Sequence, residues 1–411
     1  MKKLFIIVAM VVLISALVLG GCAQTAPTTP STPSTPTTPA PAKVIKIGSV
    51  LGLTGPGSIH ELMGKDIEFM FIDWINNEKG GVNIKGENYK VELVYEDGHW
   101  DAANCVTATT KLVHQENCKF IVGGVVPILI EGMSTVTEKA SVMLIGIRST
   151  VIWPDKPMTF YANYPFPATT VEVYKAVLEA NPGMKTVGYL AEDEDGGRAT
   201  AEADSMIAKT VFGLEPLPVV LHPFESTEYM PEWNKLIMMK PDGVDTGLKM
   251  PQNQANSLKQ GRQSGYTGPI FAPVPGSPLV LAALAGKEFA DNYTWNSYNP
   301  YDPVNTPPMV QELVKKWDAT HNDPFDPDGT EFWDAMWTTV QAIEAAQSLD
   351  PKEVAAAWEA KENWETARGA ARLGGAEPPW GIKHIVFGPA SVCRIEKGET
   401  HFIKWFDSWM P

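Results

Sequence analysis

Residues 44–58 read "VIKIGSVLGLTGPGS", and this stretch decides the architecture. Residues 44–51 are an apolar run broken by Lys46 and Ser49, the pattern of a strand buried on both faces. Three glycines, Thr54 and Pro56 then turn the chain. Residues 61–77 follow with helical spacing, which predicts that Leu62, Ile67, Met70, Phe71 and Trp74 share one face. "YKVELVYED" (89–97) is the next strand. A strand, a helix and a second strand at this spacing predict a right-handed βαβ unit and a parallel sheet.

The same alternation extends outward. "DAANCVTATTKLVHQEN" begins at an N-capping Asp101 and reads as a helix. "CKFIVGGVV" (118–126) and "VMLIGIRS" (142–149) read as buried strands. After "NPGMK" (181–185) the pattern restarts, with strands expected over 186–193, from 215 onward, over 243–250 and over 268–275. A long helical stretch over about 307–366 follows. The chain closes with strand-like "KHIVFG" (383–388) and a hairpin, "SVCRIEKGETHFIKWF" (391–406), turning at "EKGE". Two successive sets predict an α/β protein of two doubly wound lobes: 44–165, then 166–300, with 301–411 crossing between them and partly returning to the first.

The ends of the chain differ in kind. Lys2 and Lys3 precede an apolar run from Leu4 to Leu19, the layout of a secretory signal over 1–21. That run is shorter than the ~20 residues a spanning helix needs. Leu19-Gly20-Gly21-Cys22 resembles the lipobox of bacterial lipoproteins, which implies cleavage before Cys22 and lipid on its sulfur. Residues 22–43 are mostly Thr, Pro, Ser and Ala, a semi-rigid tether that cannot form a core. The expected location is therefore extracytoplasmic, anchored to the membrane by N-terminal lipid. The 411 residues carry a net charge of −15, which disfavours nucleic acid as a partner. Cys105 and Cys118 are separated by a predicted helix that rises roughly 20 Å, too far for a disulfide. Together with Cys393 they read as small buried hydrophobes.

"IKIGSVLGLTGPGS", "INNEKGGVNIKGENYKVELVYED" and "FIVGGVV" resemble the type I periplasmic binding proteins of the branched-chain amino acid class, the substrate receptors of ABC importers. Thr54-Gly55-Pro56, Asn77, Gly80-Gly81, Gly86 and Glu96-Asp97 carry the likeness. It runs over about 44–408 and is strongest before residue 150. It implies two lobes joined by crossing hinge strands, with a small-molecule solute bound between them. It also implies a membrane permease with a cytoplasmic ATPase as partner. Elementary physics points to the same place, because ligands sit outside the carboxyl ends of strands in open α/β sheets.

In amino-acid-binding members of that family, a serine after the third strand and a small residue and a threonine after the fourth hold the ligand carboxylate. Here the third strand runs into Gly124-Val125-Val126-Pro127, with Pro127 at the serine position. The fourth runs into Arg148-Ser149-Thr150: the hydroxyls match, and Arg148 replaces the small residue. In the second lobe Val274 stands where an acid pairs with the ligand ammonium, and Met250 where an aromatic is usual. No acid occurs between Thr246 and Lys287. An arginine with apolar walls from Val125, Val126, Met250 and Val274, joined by Trp153 and Tyr161, suits an organic acid with an apolar or aromatic body. The competing reading of Arg148 is an internal brace paired with Asp97, Glu131 or Asp155. In the loop "EDEDGGR" (192–198), Asp193 or Asp195 is a candidate for polar ligand contacts; the competing reading is a solvated acidic helix start.

Enzyme signatures are missing. No two histidines stand four residues apart, and neither a Gly-x-Ser-x-Gly nor a phosphate-binding loop occurs. "DPFDPDGTE" (323–331) has Pro324 where a calcium loop needs an acid, so it reads as a turn. The aromatics of "FWDAMWTTVQAIEAAQ" have core spacing. No cofactor, metal or catalytic residue is expected. A transport receptor is favoured; an amino-acid receptor of the same family and a ligand-sensing module on the same fold are the alternatives.

Overall fold

The structure, a computed structural model, describes residues 43–409 apart from 56, 150, 164–167, 224–225, 248, 250, 274–277, 298–301, 327–328 and 378–379. The first segment contains β1 (Lys43–Leu51), α1 (Ser58–Asp73), β2 (Val82–Ile84), β3 (Glu87–Asp97), α2 (Ala102–His114), β4 (Phe120–Gly123), α3 (Pro127–Ala140), β5 (Met143–Gly146) and β6 (Thr159–Tyr161). The second contains α4 (Ala168–Ala180), β7 (Thr186–Glu192), α5 (Asp195–Phe212), β8 (Glu215–His222), α6 (Met230–Met238), β9 (Gly243–Asp245), α7 (Pro251–Gln263), β10 (Ile270–Ala272), α8 (Pro278–Ala285) and β11 (Tyr293–Ser297). The third contains α9 (Pro308–Asp318), α10 (Thr330–Ala346), α11 (Pro351–Ala360), β12 (Asn363–Thr366), β13 (Gly369–Gly374), β14 (Ile385–Phe387), β15 (Pro389–Glu396) and β16 (Glu399–Asp407).

Two sheets result, in the orders β12-β13-β14-β6-β5-β4-β1-β3-β2 and β16-β15-β11-β10-β9-β7-β8. The central pairs of both are parallel; antiparallel strands close both edges of the first sheet and the β16 edge of the second, whose other edge strand, β8, runs parallel to β7. In the first sheet the chain steps from β1 out to β3, then returns to β4 on the other side of β1. In the second it steps from β7 to β8 and returns to β9. These reversals are the topological switch points of a doubly wound fold, and each opens a crevice at the carboxyl ends of its strands.

Each sheet is covered on both faces, which is why its central strands read as continuous apolar runs. On the first sheet, Ile45, Ile47 and Val122 pack with Phe71, Trp333 and Trp358 from α1, α10 and α11. Val50 and Ile121 pack with Leu112 and Met133 from α2 and α3 on the other face. Trp233, Leu258 and Leu281 cover one face of the second sheet, and Val173, Val177 and Ala208 the other. The Trp and Met residues of α10 are core, with Trp333, Met336 and Trp337 all buried. Cys105 and Cys118 are buried free thiols, and Cys393 is buried as well.

Three local expectations change. The helical stretch is three helices, separated over 319–329 and again at the Asp350 cap and Pro351, and it ends in strand β12. The strand expected over 142–149 stops at Gly146, so Arg148 lies beyond it on irregular chain. Leu62 is 46% exposed; the buried face of α1 is Glu61, Gly64, Ile67, Glu68 and Phe71. Gly64 sets this phase, because the Phe332 ring lies where its β-carbon would stand, at 2.3 Å. The C-terminal hairpin turns at Lys397 and Gly398, both with positive φ, as a two-residue turn between strands requires.

Candidate functional site

The first switch point is built from four chain segments. At the end of β1, the Gly52 amide donates to Glu61 Oε2 at 2.5 Å. At the end of β4, Gly124 adopts positive φ, with Ile130 of α3 filling the space a side chain would need. Its carbonyl accepts from the Ile147 and Arg148 amides at 3.0 and 3.3 Å, which ties the chain beyond β5 to the β4 exit. The Arg148 Nε then donates to the Val125 carbonyl at 3.4 Å. The first turn of α10 supplies Glu331, whose Oε2 lies 3.7 Å from Arg148 Nη1. Its Oε1 lies 2.7 Å from His60 Nε2 on α1.

Glu331 is fully buried, whereas the Arg148 side chain keeps 12% of its surface open. The cation is therefore the part of this pair that an incoming molecule meets. Burial works to raise the Glu331 pKa, but Arg148 and His60 outweigh it and hold the group below the ordinary value. At Glu61 the balance is reversed, although the Arg148 charge draws on it too. Burial pushes it to about 8 against the pull of the Gly52 amide, so it is neutral at neutral pH.

The second switch point also gathers charge. Glu192 ends β7 and Asp245 ends β9, both buried. Lys249 donates to the Leu190 carbonyl at 2.8 Å, and burial lowers its pKa to about 8 despite Glu192 and Asp245 nearby. Burial lifts Glu192 to about 7, with the Lys249 charge opposing. Glu192 Oε1 has no hydrogen-bond partner among the described residues. Tyr174 donates to Asp245 Oδ2 at 2.8 Å.

The residues expected in the pocket divide. Arg148 is at the first switch point, on the carbonyl of Val125, which half-buried Val126 and Pro127 follow at the start of α3. Val125 is 2% exposed and contributes mainly its carbonyl. Ser149 is buried, and its hydroxyl is used locally, donating to the Val151 carbonyl at 2.5 Å. Tyr161 is a core residue rather than an open wall, enclosed with Trp380, Ile385 and Phe387. Trp153 is half-buried beneath Lys156, whose Nζ lies 4.3 Å from the ring centroid. Thr150, Met250, Val274, Cys22 and the Asp195 side chain lie outside the described residues. In the acidic loop, Glu194 caps α5 through the Gly196 and Gly197 amides, and Asp193 pairs with Arg198. The acid facing Arg148 is none of the three expected from the sequence. It is Glu331, at the end of the stretch read as a turn. His60, Glu61, Glu192 and Lys249 were also missed; their only sequence signal is position at the end of strand β7 or in the chain that follows β1 and β9.

Among the described residues no group of His, Cys, Asp and Glu side chains could hold a metal ion. No helix among them is long and apolar enough to cross a membrane.

Residues 44–396 match the family model described as periplasmic binding protein. The chain belongs to the periplasmic binding protein family. Among solved structures this periplasmic binding protein is similar to a leucine-binding protein from Thermotoga maritima, at 19% identity and a TM-score of 0.73, covering 88% of this chain and 99% of that one. It is also similar to an ABC-transporter solute-binding protein from R. palustris in complex with benzoate, at 17% identity, TM-score 0.71, covering 88% and 96%. A second R. palustris solute-binding protein, in complex with 4-hydroxybenzoate, gives 17%, 0.74, 89% and 97%. These likenesses establish the two-lobed fold. No match was found among curated proteins.

Proposed function

We propose that this periplasmic binding protein is an extracytoplasmic receptor, lipid-anchored through Cys22, that captures a small organic acid between its lobes and delivers it to an ABC-type permease. The observation that carries this reading is Arg148: a guanidinium at the switch point of the first sheet, partly open on the carbonyl of Val125, just before Val126 and Pro127, while its protein partner is wholly buried. A planar guanidinium suits a carboxylate, and the neutral Glu61 carboxyl adds no repelling charge. An apolar body burying about 100 Å² of its surface against the walls contributes roughly 2.5 kcal/mol. Micromolar affinity corresponds to about −8 kcal/mol, so the carboxylate contact and the apolar body share the work. The similar structures that hold benzoate and 4-hydroxybenzoate support this class of ligand.

A second reading, an amino-acid receptor, is favoured by Glu192. It places a buried carboxyl with an unpartnered oxygen at the second switch point, outside the 246–287 interval that lacks acids.

A thermal-shift panel on the full chain separates the two. Benzoate, 4-hydroxybenzoate, phenylacetate and isovalerate are compared with leucine and isoleucine. Ligand at a hundred times its Kd stabilises by about 2.7 kcal/mol, which is readily measured. The acids are expected to raise Tm more; a larger shift with leucine overturns the organic-acid reading. Arg148→Met alone strands Glu331, so the variant to compare is Arg148→Met with Glu331→Gln. It should fold and lose the acid response. Retained binding would make Arg148 a brace.

A further inference from the structure

The chain passes between the two sheets three times: after β6, after β11, and between β14 and β15, where Gly388 alone intervenes. Arg368, in the turn from β12 to β13, is buried against two of these passages. Its Nε and Nη2 donate to Asp334 Oδ2 at 3.0 and 2.9 Å. Its Nη1 donates to the Pro389 carbonyl at 2.6 Å, and Nη2 also donates to Asn163 Oδ1. A methyl group at Gly388 would stand 3.0 Å from Nη2, so the crossing strand runs directly against the guanidinium.

Asn163 follows β6 at the first crossing and is 1% exposed. Its amide nitrogen donates to the Ile147 carbonyl at 3.1 Å and to the Glu331 carbonyl at 3.3 Å. Ile147 immediately precedes Arg148. Asp334 lies one turn after Glu331 on α10, and its Oδ1 accepts from the Ala367 amide at 2.6 Å. One asparagine side chain thus holds the carbonyl just before Arg148, the carbonyl of Glu331 and the hinge arginine.

We propose that Asn163 and Arg368 form a positioning bracket that couples the cleft to the hinge: the first turn of α10 carries Glu331 against Arg148 at one end and Asp334 against Arg368 at the other, so a change in how Glu331 is held alters the setting of the crossing strands. The hinge half stands whatever the ligand is; the coupling half rests on the cleft reading above. Stability alone is a poor reason for such a pair, since buried ion pairs gain little over apolar packing. Direction is a better one. The planar fork fixes four chain segments at set angles, which a lysine cannot reproduce.

Hydrogen exchange read by mass spectrometry tests this on the full chain without ligand. Asn163→Ala leaves the Arg368–Asp334 pair in place, and Arg368→Lys keeps the charge but not the fork. Both should speed exchange at least tenfold in peptides spanning 159–163 and 385–391, with no change in β1 or β4, and small-angle scattering should show a changed radius of gyration. Glu331→Gln, made at the cleft end, should speed exchange at 385–391 as well. The bracket is overturned if Asn163→Ala leaves 385–391 unchanged, or if exchange rises uniformly through both sheets, the mark of a merely stabilising contact. The coupling is overturned if the Glu331→Gln effect stays within α10. Should Arg368→Lys fail to fold, Asn163→Ala decides the hinge half alone.

Discussion

Glu68 lies on the buried face of α1, with no exposed surface. Neither of its carboxyl oxygens makes a hydrogen bond of normal geometry, although the Tyr95 and Ser49 hydroxyls lie near enough to draw its pKa part of the way down. Burial dominates and pushes the group to about 8. In the unfolded chain it titrates near its ordinary value of 4.5. A native pKa above the unfolded one favours folding most at low pH, below the unfolded value. That contribution is lost as pH rises toward 8, because unfolding then releases a proton. At roughly 1.4 kcal/mol per unit, the native state at pH 7 carries a penalty of about 3 kcal/mol, and at pH 5 about 1.

Glu68→Gln replaces the carboxyl with a neutral group of the same shape and removes the ionisation. The buried amide brings its own unmet hydrogen bonds, a cost of about 1–3 kcal/mol that does not depend on pH. The diagnostic quantity is therefore the difference between pH values. Relative to wild type, the variant should gain about 2 kcal/mol more at pH 7 than at pH 5. Urea unfolding followed by tryptophan fluorescence at pH 5, 6 and 7 gives that difference directly. An equal effect of the substitution at pH 5 and 7 would show that Glu68 is ionised in the native state, and the reasoning from burial would fail.

Other substitutions follow from local geometry. Gly64→Ala puts a methyl group into the Phe332 ring and should cost about 1–3 kcal/mol in chemical unfolding; a neutral result would mean α1 can shift freely. Ser141 ends α3 in the left-handed conformation, so Ser141→Gly should stabilise by about 0.5–1 kcal/mol. Gln347→Gly at the end of α10 should not, because the Gln347 side chain bonds the Lys85 amide and the Asn83 carbonyl; equal gains at both sites would contradict this. Lys249→Met removes the charge that draws the Glu192 pKa down from its burial-raised position. Carbon-13 titration of the glutamate carboxyls should show Glu192 moving up from about 7, and a downward move would place Lys249 elsewhere.

The order of strands and helices was legible because parallel strands covered on both faces leave unbroken apolar runs. Strands too short or too mixed to leave such a run escaped: β6 is Thr-Phe-Tyr, and β11 alternates apolar and polar residues although every position is buried. Helix α1 was read correctly at Ile67, Met70, Phe71 and Trp74, which pack on the core, and misread at Leu62 for a physical reason. Its true inner face carries two glutamates and a glycine, which hydrophobic periodicity assigns to solvent. Arg148 was legible, since a cation just after an apolar run must find a partner. Glu331 was not, because it meets Arg148 only through the third segment returning to the first sheet. A sequence reading confined to neighbouring elements offers nearby acids instead.

The same misreading bears on the ligand. Counted by composition, the first switch point has two acids, Glu61 and Glu331, against one arginine, a poor place for an organic acid. Burial changes the count: with its pKa at about 8, Glu61 is protonated at neutral pH, which leaves Glu331 as the charged acid of the two. A neutral carboxyl can also donate a hydrogen bond, which a carboxylate cannot. Above pH 8 Glu61 ionises and repels an anionic ligand, so affinity for the acid chosen by the thermal-shift panel should fall between pH 7 and 9 while Arg148 stays charged throughout. Two like charges within about 6 Å in a partly buried site interact by roughly 1–3 kcal/mol, a loss of about ten- to hundredfold in Kd. Calorimetric titration at pH 6.5, 7.5 and 9 reads this, and Glu61→Gln should flatten the profile. A wild-type profile that is already flat would mean that Glu61 does not face the bound carboxylate, and the acid would then have to be held elsewhere in the cleft.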